Sequence, residues 1–284
     1  MQIGIRFHDL APGTLEERAA AAHRQGFCCT HIALSKIGPY KMTIPELTPG
    51  WAMHVRHVME REQLDTAVLG CYLNLATPDE AALKKTQEVY KAHLRYASIL
   101  GSSVVGTETG AVNTAYKFEE ANRSEEALQI FIRNLEPVVK AAEQTGTILA
   151  IEPVYKHIVY NPQRARRVLD SIASPNLQII FDPVNLLGED NYMRRDEIFE
   201  EAMDLLKNEI AIIHLKDFIL EDGKLTSVAA GTGEMVYDRI VEFAETYKPY
   251  IQATLENTNP GNAVQAREFI EGIAQKYHGT ETAK

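Results

Sequence analysis

Short apolar runs rich in β-branched residues recur along the chain, and a segment with helical periodicity follows each of them. The runs do not alternate between apolar and polar positions, so they predict strands that are buried on both faces, as in a parallel sheet. Eight strands are predicted, at residues 3–7, 28–34, 66–73, 103–107, 147–152, 178–182, 211–215 and 252–256.

The clearest helical pattern lies between residues 124 and 145, where apolar residues such as Leu128, Phe131 and Leu135 recur at helical spacing. Ser124 is predicted to be its N-cap, because a serine hydroxyl can accept a hydrogen bond from the free backbone N–H groups of the first turn. Pro137 lies inside the pattern and is predicted to bend the helix or to end its first part. Three glycines between a helical run and the next strand are predicted to be left-handed C-caps: Gly26, Gly101 and Gly146.

The alternation of strands and helices determines the expected fold class. Eight units of about 35 residues match the size of a single (β/α)8 TIM barrel. An open doubly wound sheet is the rival, but the segment after the first strand reads HDLAPGT and lacks the GxGxxG of a dinucleotide-binding turn. No linker or low-complexity stretch is apparent, so residues 1–284 are predicted to form one domain. The long connections 35–50, 108–123 and 217–234 should gather over the C-terminal face, where barrel active sites are built.

Charge and cysteine content exclude several classes of protein. The formal net charge of -10 at pH 7 argues against sequence-independent binding to nucleic acid or to an anionic membrane surface. The three cysteines form no CxxC pair, so neither a disulfide framework nor a cysteine zinc site is expected. Neither a signal-peptide pattern nor an apolar run of about 18 residues is present, so a cytoplasmic protein without a membrane span is expected.

Four late strands are each predicted to end in a residue that can bind a divalent cation: Glu152, Asp182, His214 and Glu256. Alone, such a carboxylate is more often a helix cap or an ion-pair partner, and such a histidine is more often packed in the core. Barrel closure would bring the four to one mouth, where the carboxylates would repel one another unless a cation or protons neutralised them. One divalent metal ion is therefore predicted. The oxygen-rich set suits Mn²⁺ first, with Mg²⁺, Co²⁺ and Zn²⁺ as alternatives.

The order of several short motifs resembles a known superfamily. The motifs are AIEP at Glu152, IIFDPVN at Asp182, IIHLKD at His214, the later GTGEMVYDRI segment, and TLEN at Glu256. Together they resemble the xylose-isomerase-like TIM barrels, which include sugar phosphate isomerases and epimerases. The resemblance implies one divalent ion held by all four residues, with Glu152 and Glu256 also transferring a proton next to a sugar carbonyl through an enediolate.

The sequence departs from the ketose 3-epimerase branch of that superfamily at three positions. That branch has a histidine where this chain has Asn185, a glutamate where it has Ile158, and an arginine just after the histidine strand, where this chain reads LKDFIL. The LKD form is more similar to hydroxypyruvate isomerases and inosose dehydratases. The substrate therefore stays open between sugars, sugar phosphates and related polyols.

Further polar residues at the predicted barrel mouth are candidates for contacting a substrate: His8, Asn74, Glu108, Asn185 and Lys216. Two of them have simpler interpretations, since Lys216 can pair with Asp217 at the surface and Glu108 can cap the following loop. An apolar wall or lid is also predicted in the connection after the second strand, from Pro39, Tyr40 and Trp51, although an isolated tryptophan before a helix is more often a packing residue.

Three other functions compete with a sugar isomerase or epimerase. A hydro-lyase acting on a polyol ketone would begin with the same proton abstraction and then expel water. A hydrolase similar to AP endonucleases needs a histidine at the position of Asn185 and an Asp-x-His pair within residues 217–234, and both are absent. A non-catalytic sugar-binding barrel would show no metal dependence. The expected partner is a small sugar or polyol, with no nucleic acid and no membrane, and a homo-oligomer is compatible with the sequence.

Overall fold

The buried runs form a closed barrel in the computed structural model, which describes residues 1–37 and 43–277. Its eight strands are β1 (Gln2–Arg6), β2 (Cys29–Ile32), β3 (Asp65–Gly70), β4 (Val104–Glu108), β5 (Leu149–Glu152), β6 (Leu177–Phe181), β7 (Ile210–Leu215) and β10 (Gln252–Leu255), and β8 (Asp217–Glu221) and β9 (Lys224–Val228) lie outside it. All neighbouring barrel strands are parallel, and β1 pairs with both β2 and β10. The predicted (β/α)8 fold is confirmed.

Eight α-helices occur within the described residues: α1 (Leu15–Arg24), α2 (Pro49–Arg61), α3 (Glu80–Leu100), α4 (Glu125–Thr145), α5 (Pro162–Ile172), α6 (Arg195–Leu206), α7 (Asp238–Tyr247) and α8 (Ala263–Ala274). Side-chain oxygens cap several of them, and the predicted N-cap Ser124 accepts a hydrogen bond from the Ala127 N–H at 3.1 Å. In the described part of the chain, every helix is too short or too polar to cross a lipid bilayer.

Pro137 does not divide the helix that contains it, so the prediction that it ends the first part is wrong. Helix α4 runs unbroken to Thr145. Because proline has no N–H group, the carbonyl of Arg133, four residues earlier, has no donor within the helix. Both residues are exposed, so water can solvate this carbonyl on the outer face of the helix. The predicted C-cap glycines are confirmed, with φ of 82° at Gly26, 81° at Gly101 and 65° at Gly146.

Apolar side chains pack on both faces of the barrel strands. A large layer packs the strands against the helices, and a smaller cluster of buried side chains comes from the barrel strands: Cys29, Ala67, Val68, Val104, Ala150, Ile180 and Ile212. Close packing of such branched side chains fills the interior of a barrel. Polar residues at the strand ends therefore stand on a rigid apolar base.

The segment after β7 is a hairpin and not the plain loop that we expected from residues 217–234. Strands β8 and β9 pair antiparallel around Asp222 and Gly223, which have φ of 51° and 74°. Positive φ at both central residues is the geometry of a type I′ turn, for which Asp-Gly is a preferred sequence. The dipeptide between two runs of β-forming residues was the signal that would have predicted this hairpin.

Asp217 holds this hairpin against the segment that follows it. Its carboxylate accepts hydrogen bonds from four backbone N–H groups, those of Phe218, Gly231, Gly233 and Met235, at 2.8, 3.1, 2.9 and 2.8 Å respectively. Asp217 is 1% exposed. A surface ion pair with Lys216 is therefore not formed, because the carboxylate is buried and bonded to the backbone.

Replacing Asp217 by alanine is expected to lower the free energy of unfolding by about 2–4 kcal/mol, because several buried N–H groups lose their acceptor. Urea unfolding followed by circular dichroism measures the change. Glu221→Ala, an exposed position on the same hairpin, is the matched control and should stay within about 0.5 kcal/mol of the unchanged protein. Equal midpoints for the two variants would mean that Asp217 does not anchor the hairpin.

Candidate active site

The four residues predicted at the strand ends meet around one imidazole nitrogen. The Nδ1 atom of His214 lies 3.6 Å from Oε2 of Glu152, 3.7 Å from Oδ2 of Asp182 and 3.4 Å from Oε1 of Glu256. Glu152 is the last residue of β5, but Asp182 and Glu256 stand one residue beyond β6 and β10, and His214 is the penultimate residue of β7. The bounds differ slightly from those predicted, and the convergence at one mouth is observed.

Three residues of the cluster, Glu152, Asp182 and His214, have the donor atoms and the spacing that a divalent ion needs. The donor atoms of a tetrahedral ion with bonds of about 2.1 Å lie roughly 3.4 Å apart, which is close to the distances around His214. His214 is fully buried, yet neither ring nitrogen has a hydrogen-bond partner among the described residues. A buried imidazole without a partner is unfavourable unless a ligand satisfies it. Glu152, Asp182 and His214 thus fit a metal ion.

A second histidine, His31 in β2, extends the cluster and was not singled out from the sequence. Its Nδ1 lies 3.6 Å from Oε1 of Glu256, and its ring stacks on His214 with the centroids 5.2 Å apart. The hydroxyl of Tyr72 is 3.0 Å from its Nε2. A Cβ on Gly70 would meet the Tyr72 ring at 2.7 Å, so the glycine makes room for this pair. A histidine inside a short buried strand was the available signal.

Two cations border the carboxylates. The Nζ atom of Lys216 lies 2.7 Å from Oδ2 of Asp182 and 3.2 Å from Oε2 of Glu256, and Lys216 is 5% exposed. Arg6, the last residue of β1, places Nη1 3.6 Å from the same oxygen of Glu256. Sequence reasoning missed Arg6, because a basic residue at a strand end has no distinctive spacing.

These neighbours shift the pKa values of Glu152 and Glu256 in opposite directions. Burial, together with the nearby Glu256, raises the pKa of Glu152 to about 8. Burial raises the pKa of Asp182 to about 6, although Lys216 opposes the rise. Burial also disfavours the ionised form of Glu256, but the adjoining His214 and Lys216 hold its pKa well below the ordinary value. One glutamate therefore retains a proton more readily than the other, which is typical of acid and base pairs.

A cavity of about 430 Å³ opens above the cluster. Glu152, Glu256 and four of the predicted substrate contacts line it, namely His8, Glu108, Asn185 and Lys216. Lys36, Ser227 in β9 and Asn257 also line it, so the connections after β2 and β7 contribute to its walls. The volume lies in the range of small-molecule sites.

A family model described as "Xylose isomerase-like TIM barrel" matches residues 19–273 of the chain. The protein belongs to this family. No curated protein matches the chain by sequence.

Solved structures share the fold of this family member along nearly its whole length. A D-tagatose 3-epimerase-like protein has a TM-score of 0.76 and 19% identity, covering 98% of both chains. The IOLI protein, crystallised with a zinc atom, has a TM-score of 0.74 and 15% identity, covering 98% of this chain and all of its own. The 3-keto-D-glucoside 4-epimerase YcjR from E. coli has a TM-score of 0.73 and 14% identity, covering 96% and 99%.

Asn185, where the ketose 3-epimerase branch has histidine, holds two carboxylates of the cluster. Its Nδ2 donates a hydrogen bond to Oε1 of Glu152 at 2.5 Å, and its backbone N–H donates to Oδ1 of Asp182 at 3.0 Å. Ile158, where that branch has glutamate, is fully buried in the core. Asn185 therefore orients two carboxylates of the cluster, and an apolar residue stands where that branch has its additional glutamate.

Asn74, the fifth predicted substrate contact, is bonded to loop backbone and is not among the described residues that line the cavity. Its Nδ2 donates to the carbonyls of Ala111 and Asn113, and its Oδ1 accepts from the N–H groups of Ala76 and Ala111. These four bonds use the full capacity of the amide. Asn74 therefore fastens the connections after β3 and β4 to each other.

Glu108 combines the two interpretations that the sequence left open. It lines the cavity, and its Oε2 accepts a hydrogen bond at 3.1 Å from the hydroxyl of Tyr116 in the following loop. The Tyr116 ring stacks on His157, whose Nδ1 is 3.8 Å from the same oxygen. Burial raises the pKa of Glu108. His8 lines the same cavity, and burial together with the nearby Arg6 lowers its pKa to about 4.

The apolar wall predicted in the connection after the second strand falls partly outside the described residues, because Pro39 and Tyr40 are not among them. Trp51 lies in the first turn of α2, and its ring stacks on His54 with the centroids 5.6 Å apart. This stacking on the helix is the packing role expected of an isolated tryptophan.

Proposed function

We propose that the protein is a divalent-metal-dependent isomerase or epimerase that acts on a sugar, a sugar phosphate or a related polyhydroxy ketone by proton transfer next to a carbonyl. One observation carries the proposal: Glu152 and Glu256 approach the same buried nitrogen of His214 from strands that are three positions apart in the barrel, and both line the cavity. Two carboxylates on different sides of one substrate can serve both of its faces.

The residues of the chain divide the chemical work. Glu152, Asp182, His214 and Glu256 would hold the ion, which, when bound, polarises a carbonyl and acidifies the neighbouring C–H. One glutamate removes the proton from that carbon, and the other returns a proton to the opposite face, which inverts the centre. Asn185 keeps the Glu152 carboxylate oriented through its 2.5 Å hydrogen bond. Both carboxylates are buried, Glu152 at 3% and Glu256 at 7% exposure, which limits access of water to the carbanion formed between the two transfers.

The comparisons support the substrate class. Two of the similar structures are named as an epimerase or an epimerase-like protein acting on tagatose or a keto-glucoside, and a third was crystallised with zinc. The cavity lining is rich in hydrogen-bonding groups such as Glu108, Asn185, Ser227 and Asn257. Such groups match a ligand that carries several hydroxyls.

Solvent exchange on a panel of keto sugars and their phosphates tests the proposal. The purified protein is first analysed for bound metals, and it is then incubated in D₂O with each compound after metal removal and again after metal is restored. We expect deuterium beside the carbonyl, seen by NMR, at a rate at least about 100-fold higher with metal. Loss of water with a new chromophore would point to the hydro-lyase instead. No exchange on any compound would contradict both.

A further inference from the structure

The ammonium group of a buried lysine contacts carboxylate oxygens of two of the proposed metal ligands, Asp182 and Glu256. The Nζ atom of Lys216 lies 2.7 Å from Oδ2 of Asp182, and this is the same oxygen that lies 3.7 Å from Nδ1 of His214. The ammonium is also 3.2 Å from Oε2 of Glu256. Two of the four proposed ligands are therefore already paired with a cation supplied by the chain.

An ion bound to that Asp182 oxygen would lie close to the ammonium. With a bond of about 2.1 Å on one side and the observed 2.7 Å on the other, the two positive centres could be no more than about 5 Å apart. Repulsion over such a distance is weakly screened where little water is present, and Lys216 is 5% exposed. The metal and the ammonium therefore oppose each other at these carboxylates.

The backbone of Lys216 is held in place, whereas its side chain can move into the adjacent cavity. Its carbonyl accepts a hydrogen bond from the hydroxyl of buried Tyr237 at 2.6 Å, which holds the end of β7 in place. The side chain itself lines the cavity above the cluster. A flexible four-carbon stem lets the ammonium turn toward the cavity without movement of the strand.

We propose that Lys216 is a resident counter-ion that competes with the divalent metal for Asp182 and Glu256 and thereby sets the metal affinity of the site. The inference rests on the proposed function, because it assumes that these carboxylates are metal ligands. In the metal-free protein the ammonium neutralises them and keeps the site assembled. When the metal binds, the ammonium leaves Asp182 and faces the cavity, where it can meet a substrate oxygen.

Lys216→Met removes the charge with little change in volume. We expect its metal-free form to melt at a lower temperature than the unchanged protein, because the buried carboxylates lose their partner. Its dissociation constant for Mn²⁺ or Zn²⁺ should fall at least tenfold, equivalent to about 1.4 kcal/mol. Lys36→Met is the matched control, since Lys36 lines the same cavity but is solvent-exposed, and its metal affinity should change less than about threefold.

Calorimetric titration of the metal-free proteins with Mn²⁺ and Zn²⁺, with thermal melts of each form, gives both quantities without any activity assay. Should Lys216→Met not fold, Lys216→Gln, which is neutral and polar, carries the same expectation. If the unchanged protein binds metal and the neutral variants bind it equally or more weakly, the counter-ion role is wrong while the proposed function stands. If none of the proteins binds metal, both proposals fail.

Discussion

Replacing either Glu152 or Glu256 by glutamine is expected to reduce proton exchange beside the substrate carbonyl by about 10²- to 10⁴-fold. Glutamine nearly matches glutamate in shape, but its amide cannot accept a proton from carbon. The measurement is deuterium incorporation at saturating metal and saturating substrate. Bound metal is measured in the same samples, so that loss of the base is separated from loss of a ligand.

Glu108→Gln is the matched control for these two variants. Glu108 is the strand partner of Glu152 in the register of β4 and β5 and lines the same cavity, but its carboxylate contacts Tyr116 and His157. We expect it to raise KM for a hydroxylated substrate more than it lowers the rate at saturation, because it is placed to bind and not to exchange the proton. If all three variants lost activity alike, the assignment of Glu152 and Glu256 as the proton-transfer pair would be wrong.

Asp182→Asn and His214→Ala are each expected to weaken divalent-metal binding by at least about 100-fold, since each removes one donor from a site with few ligands. Within residues 1–37 and 43–277, two groups that share His214 could hold an ion. One is Glu152, Asp182 and His214, and the other is His31, His214 and Glu256. Removal of Asp182 tests the first group, and removal of His214 tests both.

His31→Asn separates the two groups. His31 belongs only to the second group, and the predicted ligand set does not include it, so we expect less than about a fivefold change in metal affinity. Elemental analysis after dialysis against a defined free-metal concentration is the measurement. If His31→Asn released the metal and Asp182→Asn retained it, the ion would lie between the two histidines and Glu256.

Much of the fold could be predicted because its signals are local. Strands buried on both faces leave continuous apolar runs, and positive-φ glycines such as Gly101 and Gly146 mark helix ends, so the order of elements can be interpreted without knowing any contact. The Asp222-Gly223 hairpin was equally local in its signal, and it was missed because the long connection was treated as one loop.

The site was only partly predictable, and the missed residues share a physical reason. His31 and Arg6 come from the first two strands, far in sequence from Glu256, and barrel closure between β1 and β10 brings them to it. Which way each side chain points depends on strand register, and the ladder shifts register between Thr30 and His31. A shift of one residue exchanges the inward and outward faces of a strand.

The sequence by itself determined the number of barrel strands, the barrel class and the grouping of Glu152, Asp182, His214 and Glu256, because side chains at the carboxyl ends of parallel strands share one edge. Only the tertiary structure decided what surrounds them. Lys216 proved to lie against Asp182 and Glu256, and Asn74 proved to be bonded to loop backbone. Contacts of this kind join residues through space, and the pattern of apolar and polar positions carries no information on the direction of a long or polar side chain.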